Sequence, residues 1–528
     1  MAFKVGGSQQ WVSSAIFCGA FLIGAQACSE SEPAAPKTPG TQVPPVINPA
    51  IGGSGMGGTG PVSVGPTGGS TPAVGNTTPP AATAGTNAPP LAGEGAPTMP
   101  PPIDMPTGSV DWTMMGYDVG STYFNAAETK ITKETAASLE VAYKVDMGGN
   151  VYSVPLQVGD KMYVAGGGTL RALNAADGKE LWNVPLMSTA SIAIDNGTIF
   201  SNGYNSNVTA FSAADGKQLW SKKGHATQTA DGSSSPIVAG DVVLVGGSSG
   251  SIELGVGSFR GYLSALNKMT GDIVWSEFTV PENALGASIW STASADVAAG
   301  VAFAGTGNNY GPPATDTSDA IIAFDLKTGT IKWKSQRIMN DTFGFTRGGS
   351  GPDSDFGANP VLYEAMVGGT MTKLVSAGAK GGTIHALRRD DGMQVWTRSI
   401  CTGSADGSSG IFVNSTWSGK NMIFACNGGG SAKLFGFDGG TGEMAWERQL
   451  SGPVWGRISA VKGVAFVGTG ATLEVVDTDT GAMIKSFPSM GGTVAGTISV
   501  SNGRVAFGEG LTWSSGKAGR HVTVLKVP

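Results

Sequence analysis

Hydrophobic and polar residues alternate in short stretches of this chain, and each stretch ends in a turn that contains glycine. In residues 169–174, for example, Leu170 and Ala172 are separated by Arg171, the period of a β-strand packed on one face. The pattern occurs in TLRALNAADGKELW (169–182), NVTAFSAADGKQLW (207–220), YLSALNKMTGDIVW (262–275), AIIAFDLKTGTIKW (320–333), TIHALRRDDGMQVW (383–396), KLFGFDGGTGEMAW (433–446) and, more weakly, TLEVVDTDTGAMIK (472–485). Strand alternation with a D-G or T-G turn, recurring every 40–60 residues or so, predicts an all-β protein with the β-propeller fold.

A tryptophan follows the turn in six of these segments, and we interpret it as structural. The turn glycine can adopt the positive φ that a tight hairpin needs, and the indole supplies a large apolar surface for the next sheet. The residues concerned are Trp182, Trp220, Trp275, Trp333, Trp396 and Trp446.

The number of blades depends on how the two ends of the repeat region combine. Residues 496–510 and 521–527 offer three strands without a fourth, and residues 138–146 offer a strand ahead of the first complete blade. Joining them in one sheet would close the ring and remove its open edges. We therefore predict eight blades, with seven as the alternative.

Composition narrows the class of protein and of partner. The chain has 83 glycines in 528 residues, few charged residues and a formal net charge of -6, which fit an exported all-β protein. A negative net charge argues against a nucleic-acid-binding surface.

The N-terminus has the features of an export signal. Lys4 precedes an apolar run from Trp11 to Ala25, which is short for a membrane span and ends in small residues before Cys28. Residues 25–28 resemble a bacterial lipoprotein cleavage box, although such boxes usually carry Leu three places before the Cys. We predict a signal segment over 1–28 with lipidation at Cys28 and an outer-membrane lipoprotein; ordinary cleavage nearby, giving a periplasmic or secreted protein, is the alternative.

Residues 29–108 are dominated by Pro, Gly, Thr and Ala, with no cation between Lys37 and Lys130. Such a segment buries too little apolar surface to offset the entropy of ordering, so we predict a disordered tether. The propeller is then expected to occupy residues 109–528.

Two cysteines remain if Cys28 is lipidated and Cys18 is removed with the signal. These are Cys401 and Cys426, both assigned from the repeats to the sixth blade. An even pair in an oxidising compartment predicts a disulfide, and two buried thiols are the alternative.

The segments DWTMMGYDVGSTYFNAAETKIT (111–132) and ASIWSTASADVAAGVAFAGTGNNYGPPATDTSDAIIAFDLKTG (287–329), together with the repeats, resemble the quinoprotein alcohol dehydrogenases, especially their polyvinyl alcohol dehydrogenase branch. The resemblance covers essentially all of 109–528. It implies an eight-bladed propeller that holds pyrroloquinoline quinone (PQQ) and a calcium ion on its axis and oxidises alcohols. The repeats alone do not imply this activity, because non-catalytic propellers share them.

Three residues outside the repeat are candidates for binding the quinone. By resemblance, Trp455 matches the family tryptophan that lies against the quinone, and Trp290 matches another channel aromatic. A flat quinone needs a flat partner, although either tryptophan could simply pack the core. Lys380 matches the cation that binds the paired quinone oxygens, while the alternative for a Lys ahead of a Gly-Gly turn is an ordinary surface residue.

The resemblance also supplies metal ligands and a base. Glu253 and Asn308 match the calcium ligands of the family, and calcium requires six to eight oxygens. Asp355 matches the catalytic aspartate, which also ligates calcium, and Asp353 is the alternative if the register differs. A carboxylate suits this position because alcohol oxidation needs a base for the hydroxyl proton.

The chain departs from the family in three ways. Phe412 and Val413 stand where the sixth blade usually opens with glycines and a polar residue, so one channel contact is expected to be lost. The sequence has no adjacent cysteine pair and no C-x-x-C-H haem motif. Electrons would therefore leave through a separate acceptor.

Two functions remain open from the sequence. The first is an exported, PQQ-dependent dehydrogenase acting on a small or polymeric alcohol; the second is a non-catalytic propeller lipoprotein, similar to the scaffold of the outer-membrane assembly machine. The enzyme hypothesis predicts that Glu253, Asn308 and Asp355 converge on one point of the axial channel, with Lys380 and Trp455 beside it.

Overall fold

Antiparallel sheets of four strands account for nearly all regular structure in the protein. The computed structural model describes residues 109–188, 190–230, 234–248, 258–344, 349–404, 409–428, 430–511 and 516–528. Within these ranges there are eight sheets, each of which forms one blade of a propeller. The predicted fold and the eight-blade count are confirmed.

The first two strands of the chain, β1 (Phe124–Asn125) and β2 (Glu140–Asp146), precede the first complete blade. Blade 1 consists of β3 (Leu156–Val158), β4 (Lys161–Gly166), β5 (Thr169–Asn174) and β6 (Glu180–Pro185), and blade 2 of β7 (Ile192–Asp195), β8 (Thr198–Asn202), β9 (Asn207–Ser212) and β10 (Gln218–Lys223). Blade 3 consists of β11 (Ile237–Ala239), β12 (Val242–Gly247), β13 (Tyr262–Asn267) and β14 (Ile273–Phe278), and blade 4 of β15 (Ser294–Asp296), β16 (Val301–Gly305), β17 (Ala320–Asp325) and β18 (Ile331–Gln336).

Blade 5 consists of β19 (Val361–Val367), β20 (Thr370–Gly378), β21 (Thr383–Arg388) and β22 (Gln394–Ser399). Blade 6 consists of β23 (Thr416–Trp417), β24 (Asn421–Gly428), β25 (Ser431–Asp438) and β26 (Met444–Gln449). Blade 7 consists of β27 (Ser459–Val461), β28 (Val464–Thr469), β29 (Thr472–Asp477) and β30 (Met483–Pro488). The last strands are β31 (Ser499–Ser501), β32 (Arg504–Gly508) and β33 (His521–Lys526).

The short first strand of each blade lies innermost. Along most of the ring the inner strand of one blade contacts that of the next, and the contact between β31 and β3 closes the ring. These inner strands are almost wholly buried, whereas an outer strand such as β10 is mostly exposed. The segments that enter the inner strands therefore face the axial channel.

The eighth blade is assembled from both ends of the chain, as predicted. Its strand order is β2-β33-β32-β31, so the N-terminal strand forms its outer edge. Tyr143 of this strand takes the place of the repeat tryptophan: its ring lies against Gly178 of blade 1, and its hydroxyl donates to the Ala175 carbonyl at 2.9 Å.

The repeat tryptophans join neighbouring blades. Each indole N–H donates to a backbone carbonyl of the following blade, as Trp275 does to Leu326 at 2.9 Å. The turn glycine of that following blade lies on the indole; at Gly329, φ is +78° and an added Cβ would sit 2.5 Å from the Trp275 ring. The two most constant features of the repeat thus contact each other across blades, which confirms the structural interpretation.

The segment from Trp112 to Asn125 crosses the inner strands and covers one level of the axial channel. Backbone hydrogen bonds attach it to them: Trp112 N to Gln157 O, Ile194 N to Thr113 O, Ala295 N to Val119 O, Leu362 N to Gly120 O, Trp417 N to Thr122 O, and Ala460 N to Tyr123 O. The segment ends in β1, which pairs in parallel with β27. We call this the N-terminal level of the channel.

Helical structure in the described residues is limited to one turn of α-helix, α1 (Lys133–Ala136), and one 3₁₀ turn (Tyr204–Ser206). Neither helix has the length or apolar character to span a bilayer. The predicted signal segment, Cys28 and the tether over 29–108 lie outside the described residues.

Candidate functional site

The candidate residues are carried by segments that lead into or between strands of blades 4 and 5. Trp290 precedes β15, Asn308 follows β16, and Asp355 precedes β19. Lys380 lies in the turn between β20 and β21. These residues are not among the positions that contact the N-terminal segment. We call the part of the channel that they occupy the Asp355 level.

Asp355 joins the two blades through its carboxylate. The Trp290 indole N–H donates to Asp355 Oδ2 at 2.8 Å, and Lys380 Nζ lies 3.1 Å from Asp355 Oδ1. Lys380 Nζ is also 5.8 Å from the centroid of the Trp290 ring. Three residues that the sequence analysis selected separately are thus in mutual contact.

Asp353, the alternative base, is the main ion-pair partner of Lys380. Both of its carboxylate oxygens accept from Lys380 Nζ, at 2.9 and 3.0 Å. Burial raises the pKa of Asp353 to about 7, while Lys380 opposes this rise and the Asp355 charge adds to it. The two aspartates therefore share one cation.

Two further carboxyl groups, those of Asp319 and Asp341, are close enough for the charge of Asp355 to raise their pKa values. The sequence analysis missed both. Asp319 is fully buried, and burial followed by the charges of Asp355, Asp341 and Asp353 raises its pKa well above the ordinary value. The nearby Ser318 hydroxyl lowers that pKa somewhat, but it donates to the Thr315 carbonyl at 3.1 Å. Neither oxygen of Asp319 accepts a well-formed hydrogen bond within the described part of the chain. The available signal was a carboxylate directly ahead of the buried strand β17.

Asp341 is partly paired. Its carboxylate accepts from the backbone N–H of Phe343 at 2.9 Å and of Ser354 at 3.4 Å. Burial nevertheless raises its pKa, and the charge of Asp355 adds to the effect. Four carboxyl groups and one ammonium group therefore occupy this part of the channel.

Asn308 lies near these carboxyl groups because Gly307, the residue before it, is next to Asp355. A Cβ on Gly307 would lie 3.3 Å from Asp355 Oδ2, and the Asn308 amide donates to the Phe343 carbonyl. Glu253 lies outside the described residues. In the ranges that the structure describes, no group of three or more His, Cys, Asp or Glu side chains is arranged to hold a metal ion. The predicted convergence of Glu253, Asn308 and Asp355 stays a prediction.

The two channel tryptophans have different surroundings. Trp290 is partly exposed, and the backbone of Gly357 packs so closely on its six-membered ring that an added Cβ would lie 2.0 Å from the indole. Trp455 is 6% exposed and belongs to an apolar cluster with Phe412, Ala495 and Leu511. Its ring centroid is 5.6 Å from that of Phe412, the residue where the sequence departs from the family. Trp290, rather than Trp455, therefore contacts the aspartate and offers accessible indole surface.

Cys401 and Cys426 form a disulfide, with their Cα atoms 6.5 Å apart. Cys426 lies in β24, whereas Cys401 follows β22 in the connection between blades 5 and 6. The pairing is as predicted, but the bond links this connection to blade 6 instead of lying within one blade.

The protein family described as outer membrane protein assembly factor BamB matches residues 103–340, 253–453 and 380–484. These overlapping matches extend over more than half of the chain. The chain belongs to this family of PQQ-type repeat propellers. The expected resemblance to quinoprotein alcohol dehydrogenases, without their haem motif, is confirmed as well.

The PQQ-repeat region is similar to two polyvinylalcohol dehydrogenases. It is 32% identical over 222 residues to that of Sphingopyxis sp. (strain 113P3), covering 36% of this chain and 33% of that protein. It is 26% identical over 249 residues to that of a Pseudomonas sp., covering 40% and 38%. The chain thus spans between about a third and two fifths of the length of these curated relatives.

Solved structures show the same PQQ-repeat fold. The quinohemoprotein alcohol dehydrogenase of Comamonas testosteroni aligns with a TM-score of 0.66 at 17% identity, covering 79% of this chain and 80% of that one. A europium-containing methanol dehydrogenase aligns with a TM-score of 0.66 at 18% identity, covering 79% and 98%. BamB from Moraxella catarrhalis aligns with a TM-score of 0.50 at 16% identity, covering 74% and 97%. At these identities the likeness concerns the fold.

Proposed function

We propose that the protein is an exported PQQ-dependent oxidoreductase that oxidises an alcohol and passes electrons to a separate acceptor. The observation that carries this proposal is the contact of Asp355 with both the Trp290 indole and the Lys380 ammonium in the axial channel. A structural propeller has no need of a buried carboxylate, a cation and an accessible indole face at one place. The similarity to polyvinylalcohol dehydrogenases supports the same reaction class.

The residues present suit a calcium ion together with the quinone. Neither oxygen of the buried Asp319 accepts a hydrogen bond within the described residues, and Asp355 Oδ1 has Lys380 Nζ at 3.1 Å as its ion-pair partner. Four carboxyl groups beside one ammonium leave an excess of acidic oxygens, which a hard cation would compensate. Asp355 and Asn308, with Glu253 from outside the described residues, would hold that ion.

PQQ, when bound, would supply the acceptor for the hydride of the alcohol. Asp355 would accept the hydroxyl proton, since a carboxyl group fixed in the channel by contact with Lys380 is a positioned base. The Trp290 N–H fixes the orientation of that carboxylate through the bond to Oδ2. The Trp290 ring would provide the flat surface against which a quinone stacks, and Lys380 would offer its positive charge to the quinone oxygens.

Asp353 offsets part of the charge of Lys380. Both of its carboxylate oxygens accept from Lys380 Nζ, at 2.9 and 3.0 Å, so less of the ammonium charge is available to Asp355 and to an anionic ligand.

Reconstitution tests the proposal. The purified chain is mixed with PQQ and calcium, and binding is measured by calorimetry and tryptophan fluorescence. Reduction of an artificial dye is then followed with primary and secondary alcohols and with polyvinyl alcohol. We expect quinone binding that Trp290→Phe weakens, and alcohol-dependent dye reduction by the reconstituted protein.

A matched control is Trp446→Phe, which alters a repeat tryptophan that contacts the Thr478 carbonyl in the next blade. This variant should bind the quinone as the unaltered chain does. Absence of quinone binding to the unaltered chain would contradict the enzyme proposal.

A non-catalytic envelope scaffold is the second candidate. It is favoured by the matched family's description and by the fold likeness to BamB of Moraxella catarrhalis. A scaffold would tolerate loss of Asp355, Lys380 and Trp290 without loss of function. Under either function we propose that the protein is exported and that a lipid is attached at Cys28. The Cys28→Ser variant should then be released from membranes. Retention of that variant in the membrane fraction would exclude Cys28 as the anchor.

A further inference from the structure

The turn that carries Lys380 is held between two segments of chain. On one side, the Lys380 N–H donates to the Asp355 carbonyl at 2.8 Å, and the Gly381 N–H donates to Ser354 Oγ at 3.1 Å. These bonds join the turn to the segment that carries both aspartates. They do not by themselves fix the turn on its other side.

The other side of the turn is held by the connection between blades 5 and 6. The Ile400 N–H donates to the Gly382 carbonyl at 2.9 Å, and the Gly403 N–H donates to the Gly381 carbonyl at 3.0 Å. A Cβ on Gly410 would lie 2.1 Å from the Lys380 carbonyl oxygen. The connection therefore lies directly against the backbone of Lys380.

The Cys401–Cys426 disulfide ties this connection to blade 6. Cys401 packs on the turn itself, since a Cβ on Gly382 would lie 2.8 Å from Cys401 Sγ. Cys426 lies next to Asn427, whose backbone forms a two-way bridge with Gly410. The disulfide thus anchors both ends of the part of the connection that touches Lys380.

The same anchor reaches the apolar side of the channel. The buried Asn427 side chain donates to the Val454 carbonyl at 3.0 Å and accepts from the Val454 N–H at 2.8 Å. Val454 directly precedes Trp455, and Gly410 lies two positions before Phe412. One cystine and one asparagine therefore join the backbone segments of Lys380, Phe412 and Trp455.

We propose that the Cys401–Cys426 disulfide is a positioning element for Lys380. Without the bond, the connection is held against the turn by backbone hydrogen bonds and packing but by no covalent link, and we expect this side of the Lys380 turn to loosen. The alternative role for a disulfide is general stabilisation of the fold. A positioning role predicts that removing the bond loosens the Lys380 turn in particular. A stabilising role predicts a loss of stability over the whole fold.

The test compares the full chain with the Cys401→Ser/Cys426→Ser double variant. Backbone hydrogen exchange of Ile400 and Gly403, whose N–H groups donate to the Gly382 and Gly381 carbonyls of the turn, should accelerate at least tenfold in the double variant when measured well below the melting temperature. The control is Leu170→Ala, a core truncation in blade 1 that lowers stability without touching the turn. Acceleration at Ile400 and Gly403 no greater than in this control would overturn the proposal.

A second measurement, which rests on the proposed function, is the dissociation constant for PQQ. We expect the constant to rise at least tenfold in the double variant and in Gly410→Ala, which retains the disulfide but displaces the Lys380 carbonyl. Leu170→Ala should bind as the unaltered chain does. Unchanged affinity in both altered chains would count against the positioning role.

The two failures can be told apart. If the unaltered chain does not bind PQQ, the proposed function fails, while hydrogen exchange still decides whether the disulfide positions Lys380.

Discussion

Buried carboxylates occur at both levels of the axial channel, but their partners differ. At the N-terminal level, Asp118 accepts from the Thr122 hydroxyl and, at 3.2 Å, from the Thr122 N–H. Nearby, Glu128 accepts from the N–H groups of Lys130, Ile131 and Gly503 at 2.7, 3.2 and 2.9 Å. At the Asp355 level, neither oxygen of Asp319 accepts a hydrogen bond within the described residues, and Asp355 Oδ1 is paired with Lys380 Nζ at 3.1 Å without a well-formed hydrogen bond.

Equal burial therefore serves two purposes in one fold. A carboxylate whose oxygens all accept hydrogen bonds holds the chain around it, because those bonds offset part of the cost of its desolvation. A carboxylate left unpaired costs stability unless a ligand completes it. We infer that the N-terminal level maintains the ring and the Asp355 level is kept for a cation and a substrate.

The largest expected effect is on catalysis. Asp355→Asn should lower the turnover of the reconstituted protein by about 10²- to 10⁴-fold, because the amide cannot accept the alcohol proton. Asp118→Asn, at the other level, should retain turnover within about twofold. Steady-state dye reduction at saturating alcohol measures both variants, and a similar loss in the two would contradict the comparison.

The next effect concerns the surface offered to the quinone. Gly357→Ala would place a Cβ 2.0 Å from the Trp290 ring, so the indole must move. We expect the dissociation constant for PQQ to rise about tenfold, roughly 1.4 kcal/mol, while the melting temperature changes little. A small change in affinity together with a large fall in melting temperature would show that Trp290 is a packing residue.

The N-terminal level should respond in stability instead of activity. Tyr123→Phe removes the hydroxyl that accepts from the buried Asn359 amide at 2.7 Å. The amide is then left without this partner, which should lower the free energy of unfolding by about 1–3 kcal/mol. Chemical denaturation measures this loss, and quinone affinity serves as the control that should not move.

The last expected effect is on the pH dependence of stability. Burial raises the pKa of Asp118 to about 7 from the model-compound value of 3.8, so its stabilising contribution is present below about pH 4 and lost as pH rises through about 7. Asp118→Asn carries no charge and should remove this loss. The melting temperature of the variant relative to the unaltered chain should rise by a few degrees at most from pH 4 to pH 8, and parallel curves would contradict this explanation.

The sequence predicted the fold well because the repeat is local. The strand period, the turn glycine and the tryptophan lie within fourteen residues of each other, and blades 1 to 6 each pack this tryptophan on the turn glycine of the following blade. Even the ring closure through residues 138–146 could be predicted, since three strands at one end of the chain require a fourth.

The site was predicted only in part. Resemblance selected Asp355, Lys380 and Trp290, which the structure brings into contact, and Asp353, which proves to be the main partner of Lys380. It also matched Trp455 to the tryptophan that lies against the quinone, which stays a prediction; in the structure the Trp455 ring centroid is 5.6 Å from that of Phe412. It missed Asp319, whose one local signal is its position directly ahead of the buried strand β17.

The sequence by itself determined the blades, their number and the chemical identity of the groups near the axis. Only the tertiary structure decided which of those groups are paired, because Asp319 and Asp355 come from neighbouring blades and interact only when blades 4 and 5 pack together. The same holds for the disulfide: composition suggested the bond, but its position against the Lys380 turn depends on how blades 5 and 6 pack. Strand formation is governed by neighbours in the chain, whereas burial, charge pairing and access to the channel depend on neighbours in space.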